Sequence, residues 1–279
     1  ESIKANVNEN IVSNKININF KIEETEKFFI ERINIFGNNV TRESVIRNQI
    51  EIDEGDPFNQ ILYSKSLNNI KALNFFENVN GEVLDGNEFN SKIININVEE
   101  KATGEIFAGV GTGTDGSSFA FGVKENNYLG RGVKLDANLK VSEERLKGKF
   151  LVSNPNYNNS DKNLDLSLEA TSVDRLGTSG YKSDVTGFSI GTQFEYLDDL
   201  RFGLSTRNTI EKIDVDATAS TRQKKQEGNY FDSYLGLDFL YDKRNQNYQT
   251  TSGFYSNYNI NLPVVSDTNT LTNVYNYKV

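Results

Sequence analysis

The chain has 279 residues, of which 25% are charged and 36% hydrophobic, and its formal net charge is −9. This composition excludes a disordered chain and a bundle of membrane-spanning helices, and the acidic balance argues against binding to the phosphate backbone of nucleic acids. Cysteine and histidine are both absent, which removes thiol nucleophiles, disulfides, the usual zinc ligands and the most common general base. We therefore expect a protein that is not an enzyme and that has no catalytic residue, metal or cofactor.

Two broad classes remain, a soluble protein and a membrane β-barrel. No apolar run approaches the ~18 residues that a spanning helix needs, whereas the alternating strands of a barrel escape hydropathy analysis. The chain begins at Glu1 and contains no methionine, and its first residues lack the basic and apolar regions of a signal peptide. We expect it to be a segment of a longer protein, whose signal peptide, where one exists, lies outside this sequence.

Two similar stretches indicate a tandem repeat near the N-terminus. Residues 18–24 read INFKIEE and residues 94–100 read ININVEE, and both alternate like a strand before ending on two glutamates. Repeats of about 75 residues place the last hairpin of one module at residues 1–26 and a complete second module at residues 27–102.

The complete module is predicted to contain two helices. Thr41 is placed to cap a short helix, and Asn59 is placed to cap a longer one. Asn74 stands where the second helix must stop, in the left-handed conformation that asparagine tolerates. Four apolar side chains share one face of this helix: Tyr63, Leu67, Ile70 and Leu73.

Three strands complete the module, at residues 28–36, 75–83 and 91–101. The phrases FGNNVTRESVI, EGDPFN and IKALNFFENV, in the order strand, helix, helix, strand, strand, resemble the polypeptide-transport-associated (POTRA) domain. An unrelated small α+β repeat is the alternative. The pair Glu99 and Glu100 ends a repeated strand, so we interpret it as solvated and not as an acid–base pair.

Alternation with a period of two replaces helical periodicity after Thr103. About ten strands of roughly nine or more residues follow, with breaks rich in Gly, Asn and Asp at residues 154–162, 177–183 and 221–229. The strand length suits a tilted membrane crossing, and Tyr and Phe recur near the strand ends. A soluble β-sandwich also alternates and is the alternative. In the clearest run Val133, Leu135, Ala137, Leu139 and Val141 alternate with Lys134, Asp136, Asn138, Lys140 and Ser142.

Further stretches resemble the family of the outer-membrane barrel-assembly insertase, BamA. The start of its barrel is similar to residues 102–132, which read ATGEIFAGVGTGTDGSSFAFGVKENNYLGRG. A strand-turn-strand phrase of the family is similar to YDKRN followed by TTSG, although Thr250 stands where a proline is usual. The resemblance implies an α+β POTRA module (β-α-α-β-β) followed by an antiparallel transmembrane β-barrel. Residues 103–279 would hold its N-terminal part, about ten of sixteen strands.

The resemblance also implies a function and a location. Members of this family fold and insert β-barrel proteins into the bacterial outer membrane, with their POTRA domains in the periplasm. The implied partners are unfolded outer-membrane proteins, accessory assembly lipoproteins and the lipid bilayer, with no nucleic acid. Two alternatives stay open. One is a polypeptide-transport pore of the same superfamily, of the two-partner secretion or translocation-and-assembly-module type, and the other is a soluble β-rich binding module.

The first strand after Thr103 is the candidate site. It is rich in glycine, and no helix follows it that could bind a nucleotide phosphate. Because glycine raises the entropic cost of ordering and removes cross-strand packing, we expect this strand to pair weakly. The resemblance implies that its edge accepts a strand of a client barrel. The predicted templating residues are Gly104, Glu105, Ile106, Phe107, Ala108, Gly109, Val110, Gly111 and Thr112.

A second docking edge is predicted in the POTRA module, for unfolded clients or accessory lipoproteins. The sequence does not show which edge of that sheet is free. The predicted docking residues are Phe75, Phe76, Glu77, Asn78, Val79, Asn80, Gly81, Glu82 and Val83.

Overall fold

The computed structural model of the chain describes residues 3–12, 15–24, 26–113, 116–244, 250–267 and 274–278. The chain forms two compact units, Glu1–Thr103 and Gly104–Val279. The sequence predicts a turn at Asp115-Gly116 and a last strand at residues 271–279; Asp115, residues 271–273 and Val279 lie outside the described residues.

The first unit contains a hairpin and a three-stranded sheet with two helices. The hairpin pairs β1 (Ile3–Val12) with β2 (Lys15–Glu24). There follow β3 (Phe29–Phe36), α1 (Glu43–Arg47), α2 (Gln60–Ala72), β4 (Phe76–Asp85) and β5 (Ser91–Glu100). The sheet order is β3-β5-β4, with β3 parallel and β4 antiparallel to β5. This confirms the predicted strand, helix, helix, strand, strand module.

The core of this module lies between the sheet and the helices. Tyr63 and Ile70 of α2 are buried against Ile94 and Ile96 of β5 in one cluster, as the spacing on the helix predicts. A Cβ added to Gly81 of β4 would lie 2.2 Å from the Tyr63 hydroxyl oxygen, so a larger residue there would have to displace the Tyr63 side chain. Buried hydrophobic side chains in the described part of the chain are Ile30, Ile33, Ile46, Ile52, Tyr63, Ile70, Phe75, Phe76, Val79, Ile94, Ile96 and Val98.

The ends of α2 follow the sequence prediction. The Asn59 side chain accepts hydrogen bonds from the backbone N–H groups of Ile61 (2.9 Å) and Leu62 (3.3 Å), which is an N-cap. Asn74 follows the helix with φ of 60°, the left-handed conformation expected of it. Both residues therefore mark the helix limits through local chemistry alone.

The prediction that Thr41 caps α1 is wrong. Arg42 occupies the N-cap position, without a side-chain hydrogen bond. Thr41 is buried, and its N–H donates to Glu100 Oε1 at 2.6 Å, while the N–H of Val40 donates to Glu100 Oε2 at 2.8 Å.

The interpretation of Glu100 as a solvated strand end is also wrong, because its carboxylate accepts these two hydrogen bonds and holds the β3–α1 loop. Partial burial acts to raise the pKa of Glu100, but the hydrogen bonds from Thr41 and its neighbours lower it overall.

A second carboxylate fixes the β4–β5 hairpin. Glu31 accepts hydrogen bonds from the Ser91 hydroxyl (2.7 Å) and from the side chain (2.9 Å) and backbone (2.7 Å) of Asn87. The Ser91 hydrogen bond, followed by those of Asn87, lowers the pKa of Glu31 to about 2. The sequence offers no signal for this contact, since Glu31 and Asn87 are 56 positions apart.

The second unit is one antiparallel meander of ten strands. The strands are β6 (Gly104–Gly113), β7 (Gly116–Tyr128), β8 (Val133–Ser142), β9 (Arg145–Asn154), β10 (Asn163–Arg175), β11 (Tyr181–Leu197), β12 (Leu200–Val215), β13 (Gly228–Asp242), β14 (Tyr255–Ser266) and β15 (Val274–Lys278). Its helices are single turns, α3 (Leu176–Ser179), α4 (Thr221–Lys224) and the 3₁₀ turn Tyr157–Asn159. The count agrees with the sequence, although Gly148 and Leu151 mask the alternation of β9.

The register gives this sheet an apolar face and a polar face. Phe121, Leu139, Gly148 and Ala170 are successive Cα partners across β7 to β10 and share the apolar face. None of the buried hydrophobic side chains of the described residues belongs to this sheet, and its large apolar side chains are exposed or half-buried. The sheet therefore has no protein core, which excludes the β-sandwich alternative.

Candidate functional site: two open strand edges

Strand β6 is the first edge of the ten-stranded sheet. Within the described ranges it pairs with β7 alone, and each of its ten residues is exposed. Val110 and Ile106 are 87% and 73% exposed, although both lie on the apolar face opposite Phe119 and Val123. β6 contains all nine residues predicted for templating, so the structure brings them together on one unpaired backbone edge.

Three of the four glycines of β6 have no packing role. A Cβ added to Gly109 or Gly113 would meet nothing within 4 Å, and one added to Gly111 would meet only the Ser118 hydroxyl at 3.6 Å. Larger side chains would fit at all three positions and would strengthen a strand. Since larger side chains would fit without a steric clash, these glycines make β6 a weaker strand than its surroundings require.

One aromatic side chain holds β6 against its neighbour. Phe107 lies on the polar face opposite Gly122 of β7, and a Cβ added to Gly122 would lie 2.2 Å from the Phe107 ring. The ring therefore covers the bare backbone of Gly122. The aromatic side chain replaces the cross-strand packing that the glycine lacks.

In the POTRA sheet, the edge of β3 is closed. The Ile30 N–H donates to Asp56 O (2.9 Å), and the Ile30 carbonyl accepts from Gly55 N (2.7 Å). Further along the strand, the Ile33 N–H donates to Glu54 Oε1 at 3.0 Å, and the Ile33 carbonyl accepts from an Arg47 guanidinium nitrogen at 2.9 Å. The loop before α2 and these two side chains satisfy backbone groups that an incoming strand would need.

The edge of β4 is open. In the described part of the chain β4 pairs with β5 alone. The nine predicted docking residues fall into a buried group and an exposed group. Phe75, Phe76 and Val79 are buried in the core, and Val83 packs on the core cluster. The exposed members are Glu77, Asn78, Asn80, Gly81 and Glu82, although Gly81 faces the Tyr63 side chain of α2.

Aromatic rings mark one end of the apolar face of the large sheet. Phe194, Phe202 and Phe239 are Cα partners across β11 to β13, with ring centroids 5.8 and 5.3 Å apart. At the opposite end of this face Lys212 Nζ lies 2.8 Å from Asp214 Oδ2. Phe202 and Lys212 are ten residue steps apart on β12, which is ~33 Å along the strand and ~23 Å at a 45° tilt. An apolar band of this height matches the ~25 Å band of outer-membrane barrels.

No helix among the described residues has the length and apolarity to cross a membrane. Within the same ranges, no three acidic side chains come together in a way that could hold a metal ion.

Two family models match this chain, one over most of the ten-stranded sheet and one over the POTRA module. Residues 127–277 match the model described as the Omp85 superfamily domain. The chain belongs to the Omp85 superfamily. Residues 28–101 match a POTRA model described as a surface antigen variable number repeat. The two matched ranges fall within the two compact units described above, the POTRA match in the first and the Omp85 match in the second.

Individual relatives agree with this arrangement. The chain is 24% identical over 243 residues to the outer membrane protein assembly factor BamA of Nitratidesulfovibrio vulgaris, covering 85% of this chain and 30% of that protein. It therefore spans about a third of this curated relative.

Solved structures share the fold. The crystal structure of BamA from Haemophilus ducreyi lacking POTRA domains 1–3 superposes with a TM-score of 0.68 at 22% identity, over 95% of this chain and 54% of that one. CdiB from Escherichia coli gives a TM-score of 0.55 at 13% identity, over 94% and 49% of the two chains.

Proposed function

We propose that this Omp85 protein is an outer-membrane assembly factor, which folds β-barrel proteins and inserts them into the bacterial outer membrane. The observation that carries the proposal is the glycine-rich, exposed strand β6 at the border of a sheet that buries none of its hydrophobic side chains within the described ranges. The name outer membrane protein assembly factor, carried by a curated relative, supports the same role. The POTRA module would then lie in the periplasm.

The physical chemistry of a lipid-embedded edge explains how β6 would act. Each unpaired backbone group in hydrocarbon costs several kcal/mol, so an open strand edge in a bilayer requires a partner strand. A client strand that adds to β6 satisfies these groups by main-chain hydrogen bonds, without nucleotide and without a covalent step. Because Gly109, Gly111 and Gly113 keep β6 weakly ordered, it can exchange one partner strand for another.

Crosslinking along β6 tests the templating role. This chain has no native cysteine, so single cysteines at Ile106, Ala108 and Val110 report only the introduced site once any cysteine elsewhere in the full-length protein is replaced by serine. Each is expected to crosslink to a cysteine in the first or last strand of an unfolded barrel client during assembly. A cysteine at Ile190, on the same face but in the middle of the sheet, is the control and is expected to give no product. Equal yields at Ile190 and Ala108 would refute templating.

The edge of β4 is proposed as a second docking site, for extended client segments or accessory lipoproteins. Of the two edges of the POTRA sheet, β3 is closed by the loop before α2, which leaves β4 for an added strand. Asn78, Asn80 and Glu82 point away from the core and keep this edge polar. An added strand would therefore bind through its backbone, with little selection for apolar side chains.

A matched pair of positions tests the β4 edge. Single cysteines at Asn80 on β4 and at Arg32 on β3 are both exposed. The Asn80 variant is expected to crosslink to an unfolded client, and the Arg32 variant is expected to remain free. Crosslinks at Arg32 that match those at Asn80 in yield would show that contact with the POTRA module is unspecific.

The transport-pore alternative rests on the fold that this chain shares with CdiB. That likeness has a lower TM-score than the likeness to BamA, 0.55 against 0.68, and it shows architecture alone. The number of POTRA modules in the parent protein separates the two functions, since the insertase reading expects more modules than a two-partner secretion pore. Secretion of a passenger protein in place of barrel assembly would favour the pore.

A further inference from the structure

Charge is divided unevenly over the polar face of the ten-stranded sheet. On β6 to β9 this face carries six cationic side chains and two carboxylates, a net charge of +4. On β10 to β13 it carries three cationic side chains and seven carboxylates, a net charge of −4. The whole chain has a net charge of −9, so the positive charge on β6 to β9 is opposite in sign to the charge of the chain. Cations are therefore concentrated on the four strands nearest the open edge of β6.

Three lysines form the centre of the positive half, and we call them the lysine cluster: Lys140, Lys147 and Lys149. Lys140 on β8 and Lys147 on β9 are Cα partners, so two like charges face each other directly, which weakens a sheet. Lys149 lies on the same face, two residues along β9. All three side chains are exposed.

Several other cations of this sheet have carboxylate partners. Lys124 lies 3.6 Å from Glu105, and the Arg175 guanidinium lies 2.7 Å from Glu144. Glu169, the Cα partner of Lys149, instead pairs with Arg207. Across the ranges that the structure describes, no ion pair includes a member of the lysine cluster. The cluster is thus a concentration of positive charge that the sheet itself does not neutralise.

The path from β6 to the cluster is unobstructed. Gly109 on β6, Ala120 on β7 and Lys140 on β8 are successive Cα partners on the polar face. Two strand spacings, or ~10 Å, separate the edge from Lys140. A polypeptide that has one strand paired with β6 can therefore lay a neighbouring segment over these small side chains and reach the ammonium groups.

We propose that the lysine cluster binds an acidic segment of the client polypeptide while a strand of the same client pairs with β6. The inference rests on the proposed function, because it takes the polar face as the aqueous side of the wall. A lipid phosphate would lie along the apolar face, which favours polypeptide carboxylates as the ligand. An acidic segment complements the net charge of +4 and screens the repulsion between Lys140 and Lys147.

The test uses the full-length protein in detergent micelles and a fluorescent, unstructured peptide in which glutamates are spaced by glycine and serine. Fluorescence anisotropy is expected to show binding that weakens with added salt. The K140Q/K147Q/K149Q variant is expected to bind ~10-fold more weakly, since three exposed ion pairs are lost. The control K71Q/K224Q/K225Q removes the same charge at three exposed lysines outside the strands and is expected to bind like wild type.

Three results would overturn the proposal. The first is equal affinity of the K140Q/K147Q/K149Q variant and the wild type. The second is equal binding of a peptide with glutamine in place of glutamate. The third is displacement of the acidic peptide by phosphatidylglycerol in mixed micelles, from wild type but not from the variant, which would identify a lipid site. The K140R/K147R/K149R variant keeps the charge and is expected to bind normally, and a loss of binding there would also count against the proposal.

Client assembly into phospholipid vesicles is measured separately with the same variants. If wild type binds the acidic peptide but assembles no client, the proposed function fails and the affinity of the cluster for acidic polypeptide stands. If wild type assembles clients and the glutamine variant binds the acidic peptide as well as wild type does, only the role of the lysine cluster fails.

Discussion

The two sheets of this chain differ in how far their apolar side chains are buried. The three-stranded POTRA sheet buries Ile94 and Ile96 to 1% exposure beneath α2. The ten-stranded sheet has the same alternation of apolar and polar residues, yet Leu168 and Phe188 are 55% and 49% exposed. Alternation alone therefore does not define a core, and what covers the apolar face, protein in one case and hydrocarbon in the other, decides the solvent in which the sheet is stable.

The edges of the two sheets differ in a related way. β3 is closed by the Asp56 carbonyl, Glu54 and Arg47, whereas β6 ends its sheet without a second neighbour among the described residues. A sheet in water can satisfy an edge with loops, side chains or solvent. A sheet in lipid can satisfy it only with another strand. In a bilayer the edge of β6 therefore requires a partner strand.

The largest expected effect comes from the POTRA core. Ile94→Ala removes a fully buried side chain and leaves a cavity, so the free energy of unfolding of residues 1–103 is expected to fall by ~2–5 kcal/mol. Urea denaturation of this compact unit, followed by circular dichroism, measures the change. A loss below that of the exposed control Ile61→Ala would contradict the assignment of the core.

The covering of the large sheet is tested by a pair of neighbouring residues on β10. Leu168→Arg places a charge on the apolar face, which is expected to cost ~2–4 kcal/mol in a bilayer. Ser167→Arg places the same charge on the polar face and is expected to cost much less. Equilibrium unfolding of the full-length protein in phospholipid vesicles measures both. Equal costs at the two positions would mean that hydrocarbon does not cover the apolar face.

Two glycines test how weakly β6 is held. Gly122→Val would displace the Phe107 ring and is expected to destabilise the β6–β7 pair by ~1–3 kcal/mol. Gly109→Val meets no atom within 4 Å and is expected to be neutral or to stabilise the pair by ~0.5–1 kcal/mol. Hydrogen exchange at the β6 amides reports the pairing. If the Gly109→Val variant assembles clients more slowly than wild type, weak pairing of β6 contributes to client assembly.

Much of this organisation could be predicted from local sequence. The Asn59 cap, the left-handed Asn74 and the two periodicities depend on neighbouring residues, and the structure confirms them. The role of Glu100 could not be predicted, because it depends on the parallel pairing of β3 with β5, which brings distant segments together. The same holds for the closed edge of β3 and for the contact of Phe107 with Gly122.

The candidate sites show the same limit. The nine residues predicted on β6 share one strand because they are one continuous run of sequence. The nine predicted on β4 are also a continuous run, and alternation places Val79 in the core and Asn80 on the surface. The opposition of Lys140 and Lys147 depends on the register between β8 and β9, which the residue pattern does not fix until a hairpin length is known.

The smallest expected effect is a pH dependence confined to the POTRA module. The pKa of Glu31 is about 2, below its ordinary value of 4.5, so its hydrogen bonds stabilise the fold fully above pH 4.5. That stability is lost as the pH falls from 4.5 towards 2, because the unfolded state takes up the proton first. The lowered pKa of Glu100 adds a loss of the same sign.

Glu31→Gln is therefore expected to flatten the decrease in unfolding free energy of residues 1–103 over this range, measured by urea denaturation at successive pH values. Glu77→Gln, an exposed carboxylate on β4, is the control and is expected to leave the decrease unchanged. An identical pH profile for Glu31→Gln and wild type would mean that the contacts of Glu31 with Ser91 and Asn87 do not persist in solution. The hairpin between β4 and β5, and with it the open edge of β4, would then be less rigid than its hydrogen bonds indicate.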